Sequence, residues 1–250
     1  MADMEKIAKL QQMIDESSKI VFFGGAGVST ESGVPDFRSV DGLYNQKYDY
    51  PPETMLSHSF YVSHKPEFFK FYYDKLILEG IEPNAAHKKL AELEQAGKLQ
   101  AVVTQNIDGL HQAAGSRRVY ELHGSVLRNY CTTCGEYYDL EFIKQCKSDG
   151  VLEPKCPKCG GNVKPDVVLY EEGLDQEVMS GAINAISTAD MLIIGGTSLV
   201  VYPAAGLIDY FHGKYLVVIN KQSTGRDAFA DLVIEDAIGE VLSQIKVNAV

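Results

Sequence analysis

The sequence predicts an α/β protein: a parallel sheet covered by helices on both faces, with a smaller domain set into it. Three observations carry this reading. Short runs of consecutive apolar residues recur along the chain, as strands buried on both faces require. Helical patterns lie between several of these runs. Two stretches, 39–83 and 127–163, break the alternation; the first is rich in Tyr, Phe and His, the second holds cysteines, glycines and prolines.

Taken in order, Met4 to Ser17 spaces Ile7, Leu10, Met13 and Ile14 as one face of a helix. Lys19 to Phe23 is a short apolar run stopped by Gly24-Gly25, and reads as a buried strand. Runs of the same kind are Ala101–Val103, Met191–Ile194 and Tyr215–Ile219; weaker ones are Val119–Leu122 and Asp166–Leu169. Helices are predicted over Asn84–Ala96, with Asn84 as N-cap, over Gln176–Ser187 and over Ala204–His212. The stretch 39–83 contains Pro51-Pro52 and shows only helical or loop patterns. The expected division is a large domain of 1–38, 84–126 and 164–250, and a small one of 39–83 and 127–163.

The chain has 250 residues, 45% of them hydrophobic, enough for a large and a small core together. Its net charge of -11, with no block of consecutive basic residues, disfavours direct nucleic-acid binding, which needs clustered Lys and Arg. Small anions would have to be held locally by backbone amides, and basic peptides are tolerated. Met1 to Lys19 lacks the long apolar run of a signal peptide, and no stretch approaches the ~18 apolar residues of a membrane helix. A cytoplasmic protein without a membrane partner is expected.

In that compartment cysteines in C-x-x-C pairs read as metal ligands rather than disulfides. Cys131 and Cys134 form one pair, and Cys156 and Cys159 the other. Each C-x-x-C turn brings two thiolates to one ion from the same side, and two such knuckles complete a tetrahedron around one structural zinc. Four thiolates leave no open position, so this zinc holds structure and does not activate water. The alternative is two unrelated pairs of buried or redox cysteines. A four-cysteine ribbon also occurs in nucleic-acid and protein binders, so it does not settle function. Cys146 falls at no ligand spacing and is expected in the core.

After the first strand comes Gly24-Gly25-Ala26-Gly27-Val28-Ser29-Thr30. Glycines at a strand end let the backbone approach a pyrophosphate, with N–H groups at a helix start to bind its charge. As a dinucleotide fingerprint it is imperfect, because Thr30 stands where a third glycine or alanine is expected. The region about 20 residues on is also irregular rather than a strand ending in an acidic residue. An ordinary dehydrogenase therefore fits poorly. Gln105-Asn106-Ile107-Asp108 follows a second strand, His123 ends a third, and Gly195-Gly196-Thr197-Ser198 follows the strongest one. Strand ends of this kind are where α/β sheets bind ligands.

Five motifs occur in one order: Gly25-Ala26-Gly27-Val28-Ser29, Ser32-Gly33-Val34-Pro35-Asp36-Phe37-Arg38, Gln105-Asn106-Ile107-Asp108, Glu121-Leu122-His123-Gly124 and Gly196-Thr197-Ser198-Leu199. With the two C-x-x-C pairs after the histidine, the chain resembles the sirtuin family of NAD-dependent protein-lysine deacylases from about Ile20 onward. The resemblance implies a Rossmann-like domain, a small domain made of a helical insertion and a zinc ribbon, and a cleft between them for NAD and acyl-lysine. In the family's reaction the acyl oxygen attacks the nicotinamide ribose and nicotinamide leaves. A base then deprotonates a ribose hydroxyl, which adds to the imidate carbon; water releases the lysine amine, and the acyl group ends on ADP-ribose.

Carried onto this chain, the resemblance makes His123 the base, with Asn106 and Asp108 at the nicotinamide and Gln105 at the ribose. Phe37 would cover the reactive ribose face, while Arg38 is divided between phosphate and the loop's own acids. Gly25, Ala26, Gly27, Gly196, Thr197 and Ser198 would cradle phosphates. Asn220 would meet the adenosine ribose and Asp236 the adenine. A run such as 105–108 can also simply cap a helix. His111 is expected near the site without touching ligand, or at the surface. The acyl-lysine peptide would pair as a strand with Val167, Val168, Leu169 and Tyr170.

The chain departs from the family at Gly24, where threonine is frequent, and at Tyr170-Glu171-Glu172, where a Gly-Glu often follows the aromatic. The additional carboxylate, Glu171, would favour basic residues near the target lysine. Family members that remove succinyl groups carry Tyr and Arg three apart; here the stretch is Tyr72-Tyr73-Asp74-Lys75. Lysine is a point charge and not a bidentate fork. Deacetylation is therefore expected over desuccinylation, with other acyl chains or ADP-ribosyl transfer from the same NAD site as alternatives.

Overall fold

A computed structural model describes residues 3–37, 42 and 48–247. Helix α1 (Met4–Glu16) is capped by Asp3 and buries Ile7, Leu10, Met13 and Ile14, the expected face. The large sheet contains β1 (Ile20–Gly24), β2 (Leu99–Thr104), β3 (Val119–Glu121), β7 (Met191–Gly195), β8 (Tyr215–Ile219) and β9 (Leu232–Ile234). Every pairing in it is parallel, and the spatial order is β3-β2-β1-β7-β8-β9. Counted within this sheet alone, that is 3-2-1-4-5-6, the Rossmann order, whose switch point falls between β1 and β7.

Two aliphatic cores cover the sheet. One packs α1, α5 (Ala85–Gln95) and α9 (Ile238–Leu242) against Phe22, Val102, Ile193 and Val217. The other packs α8 (Gln176–Thr188) and the turns at Ala204–Tyr210 against Val21, Phe23, Leu192 and Ile194. Alternate residues of each strand supply the opposite faces, as the period of 2 dictates. Asn84 starts α5 as expected, in a capping box closed by His87.

A third core joins the two irregular stretches. It combines α2 (Pro52–Met55), α3 (His58–Ser63) and α4 (Lys65–Lys75) with α7 (Leu140–Ser148) and an antiparallel sheet of β4 (Gly124–Cys131), β5 (Tyr137–Asp139) and β6 (Val163–Val167). Tyr61, Phe68, Phe69, Tyr72 and Tyr73 pack ring against ring there, mostly edge to face or tilted. Cys146 is buried in this core, as expected.

Three readings need correction. The run Asp166–Leu169 does not join the parallel sheet, because Asp166 and Val167 end β6 in the small sheet and the chain then leaves it. Ala204–Tyr210 is 3-10 rather than α-helical. The first glycine loop does not open directly into an α-helix; two 3-10 turns, Ala26–Val28 and Thr30–Ser32, stand there. Among the described residues no helix is long and apolar enough to cross a membrane.

Candidate active site and metal centre

At the switch point the loops after β1 and β7 touch. The Gly27 amide donates to the Gly196 carbonyl at 2.8 Å, so it holds the two loops together. A Cβ on Gly27 would stand 2.8 Å from that oxygen, and one on Gly196, which sits at φ +58, would stand 2.3 Å from the Val28 nitrogen. Only glycine fits either place. The Asn84 side chain clamps the following turn from below, donating to the Val28 carbonyl and to Ser32 Oγ.

Beyond β2 the polar run folds back onto this loop. Ser29 is fully buried, and its hydroxyl donates to Asp108 Oδ2 at 2.6 Å while accepting from Asn106 Nδ2 at 3.0 Å. Asp108 Oδ1 accepts from the Leu110 amide at the start of α6 (Leu110–Ala113). The N-cap of α6 is Gly109 and not Asp108; one oxygen of Asp108 serves the first amide of the helix, and the other belongs to the network. Gln105 Nε2 donates to Thr197 Oγ1 at 3.1 Å, joining this run to the second glycine loop.

His123 follows β3. Its Nδ1 lies 3.0 Å from the Gln105 carbonyl. A carbonyl can only accept, so Nδ1 carries the proton and a neutral ring keeps its lone pair on Nε2. Burial pulls the imidazole below its ordinary pKa, and the bond to Gln105 opposes the shift. The ring is therefore neutral at pH 7, with one basic nitrogen.

Gly25, Ala26, Gly27, Phe37, Gln105, Asn106, Asp108, His123, Val167 to Tyr170, Gly196, Thr197, Ser198, Asn220 and Asp236 all line one cavity of about 970 Å³. Phe37 also packs against the aromatic core. Asn220 Nδ2 is spent on the Gln222 carbonyl, and Asp236 Oδ1 accepts from the Ala237 amide. Arg38 lies outside the described residues. In the sequence Ser29 does not stand out as a residue of its own; its place inside the first motif is the signal. The sequence also gives His87 no role and leaves His111 open to the surface. Both are buried, with rings 4.7 Å apart. Burial lowers His87 to about 4 and His111 to about 3, so both are neutral.

The segment after Val167 is bonded along one edge. The Val168 amide donates to the His123 carbonyl, the Tyr170 amide to Leu56, and the His58 amide to the Tyr170 carbonyl. Glu171 adopts φ +77 and accepts from the Ser59 amide and hydroxyl, so its carboxylate is engaged with α3. Glu172 accepts from the Leu169 amide, Lys164 and His58.

Cys131, Cys134, Cys156 and Cys159 meet beside the small sheet, with all four sulfurs within 4.8 Å of one another. Individual separations are 3.4 Å (Cys134 to Cys159), 3.5 Å (Cys131 to Cys159) and 3.7 Å (Cys134 to Cys156). Bonds of about 2.3 Å from a tetrahedral zinc require sulfurs ~3.8 Å apart, whereas a disulfide needs about 2.05 Å. The cage fits one zinc and no disulfide. Amides of Thr133 and Gly161 point at Cys131 and Cys159, and the Tyr138 hydroxyl donates to Cys156 Sγ at 3.0 Å.

A sequence profile described as the Sir2 family matches residues 25–203. This chain belongs to the Sir2 family. Two curated relatives named NAD-dependent protein deacetylase come from Clostridium perfringens, 64% identical over 96% of this chain and 98% of that protein, and Clostridium acetobutylicum, 60% identical over 97% and 98%. Among solved Sir2 structures, one with a deacetylated p53 peptide and 3′-O-acetyl ADP-ribose superposes with a TM-score of 0.87 at 37% identity, covering 95% of this chain and 96% of that one. Another, Sir2 with p53 peptide and NAD+, gives 0.83 at 38% identity over 94% and 95%. The Sir2 fold thus extends over nearly the whole chain, including the four-cysteine sheet that lies within the matched residues.

Proposed function

We propose that this protein is an NAD-dependent protein-lysine deacetylase that moves the acetyl group to ADP-ribose and releases nicotinamide and free lysine. The observation that carries the reading is the cavity-lining His123, fixed by Gln105 in the tautomer whose Nε2 can accept a proton, beside the Ser29–Asn106–Asp108 network. The relatives' shared name supports it.

NAD, the co-substrate, supplies an electrophilic ribose carbon and nicotinamide as leaving group. The glycine loops at 25–27 and 196–198 receive its phosphates, and Asn220 and Asp236 the adenosine end. Asn106 and Asp108 hold the nicotinamide end, Gln105 the ribose, and Phe37 covers the ribose face. The His123 imidazole takes the proton from a ribose hydroxyl, which is general-base work suited to a neutral ring at pH 7. Acyl-lysine runs along Val167–Tyr170. The large domain in this reading is 1–38, 84–126 and 164–250, and the small one is 39–83 and 127–163. The zinc holds the small domain in shape. A cytoplasmic location fits thiols placed for a metal.

Acetyl is preferred over succinyl. Tyr72 is sealed in the aromatic core and does not reach the cavity, and Lys75, which does, pairs with Asp74 at 2.9 Å. Among the described residues no Tyr and Arg fork is assembled for a distal carboxylate. Incubation with an acetyl-lysine peptide and NAD, read by mass spectrometry, should give acetyl-ADP-ribose; its absence, or deacetylation without NAD, overturns the reading. A succinyl version of the same peptide should react more slowly.

A further inference from the structure

We propose that Arg128 is a positioning residue for this reaction: it braces the segment that carries His123 against the segment that carries Val167. The proposal rests on the reading of His123 as base and Val167–Tyr170 as the acyl-lysine segment. Arg128 lies on β4, which begins directly after His123. Its Nη1 donates to Glu121 Oε2 at 2.7 Å, and its Nε to Asp166 Oδ2 at 2.8 Å.

These carboxylates belong to different sheets. Glu121 ends β3 at the edge of the parallel sheet, two residues before His123, and its side chain is only 8% exposed. Asp166 precedes Val167 on β6 of the small sheet. One planar guanidinium therefore spans the junction with two charge-assisted bonds, which a lysine cannot reproduce. Burial works against the Arg128 charge, and the two carboxylates outweigh it, raising its pKa.

The backbone shows why a brace matters here. Gly124 pairs with Val167 and Ser125 with Asp166, and the Val168 amide donates to the His123 carbonyl. Pairing then slips, because Asn129, not Ser125's near neighbour, meets Pro165. The two residue pairs that join base to peptide segment are thus cut off from the remaining ladder by an irregularity in β4. Arg128 lies inside that irregularity, and its side chain reaches across to Asp166, the residue at its edge. A small slide between the segments would change the distance from Nε2 to the ribose hydroxyl, and displacements near 1 Å can cost about a hundredfold in rate.

The test uses the full-length, zinc-loaded protein as R128M, R128K and the double variant E121Q/R128M. In R128M, deacetylation at saturating NAD and peptide should fall about tenfold or more, with NAD affinity unchanged. Nicotinamide exchange, which precedes the base's step, should stay within about threefold. R128K, keeping one of two bonds, should fall between. R128M also strands the buried Glu121 carboxylate and should lower the melting temperature. The double variant removes that charge, so it should regain stability while keeping the kinetic defect. Recovery of both stability and rate in the double variant would make Arg128 merely structural and overturn the proposal. Equal losses of exchange and deacetylation would also overturn it. Should the wild-type protein show no NAD-dependent deacetylation, the functional reading fails, and the brace is judged by hydrogen exchange alone. It stands if amides of 121–124 and 166–169 exchange faster in the double variant, and falls if they do not.

Discussion

The two walls of the cavity are held by different forces. On the sheet side, five consecutive residues of β1 and β7, Ile20–Gly24 and Met191–Gly195, run in unbroken parallel register, and aliphatic cores cover both faces. On the small side, a short three-stranded sheet and the four helices α2, α3, α4 and α7 share an aromatic core, and a four-cysteine cage ties the ribbon's two ends. Burial of aliphatic surface is enough for the first wall. The second has too little regular structure to stand without its metal, as is usual for small zinc modules. The protein thus sets a self-sufficient wall against a conditional one, and His123 lies where they meet.

The sharpest way to break this contrast is Cys156→Ala. We expect complete loss of stoichiometric zinc, measured by atomic absorption, together with loss of activity. Far-ultraviolet dichroism should retain the signal of the large sheet, and collapse of the whole fold in one step would refute the independence of the two walls. His123→Ala should do the reverse, keeping zinc and melting temperature while reducing turnover about 10²- to 10⁴-fold. In the wild-type protein, turnover should decline on the acid side with a midpoint below 6.5, because the buried base is harder to protonate than a free histidine.

Acid should act next on the sheet wall. His87 and His111 stay neutral in the fold with values of about 4 and about 3, below the unfolded 6.5. The unfolded chain therefore binds more protons between these limits, and stability falls as pH drops below 6.5. Between pH 6.5 and 5 each histidine should cost about 2 kcal/mol, visible as a lower urea midpoint. A double His87→Gln, His111→Gln variant should flatten that dependence; if it keeps the wild-type slope, the pair is not its source. The smallest effect expected is that of Gly27→Ala. Its Cβ would push Gly196 away and weaken NAD binding about tenfold, with zinc content unchanged, as calorimetry would show.

The same contrast governs what could be read in advance. Strands buried on both faces announce themselves as apolar runs, so β1, β2, β7 and β8 were legible. β9 was not, because Leu232–Ile234 is three residues between Asp231 and Glu235. β4 passes through Arg128, Asn129 and Tyr130 and shows no clear alternation, since it faces a junction and not one core. Gly25, Gln105, Asn106, Asp108 and His123 were legible because each lies at a strand end within a motif. The bonds among them were not. Ser29 is 79 residues from Asp108, and Arg128 is 38 from Asp166, so only folding makes them neighbours. Tyr72 and Lys75 share the spacing of one helix face, yet packing seals the tyrosine inside.

Ser29 has one proton to give, and Asp108 takes it, while Asn106 supplies the bond that the hydroxyl oxygen can still accept. Asparagine slowly loses ammonia as proteins age. The resulting carboxylate would face a hydroxyl with nothing left to donate, next to a second carboxylate already served. The lifetime of the active site is thereby tied to the chemical endurance of a single amide, whose backbone and side chain are both held by hydrogen bonds.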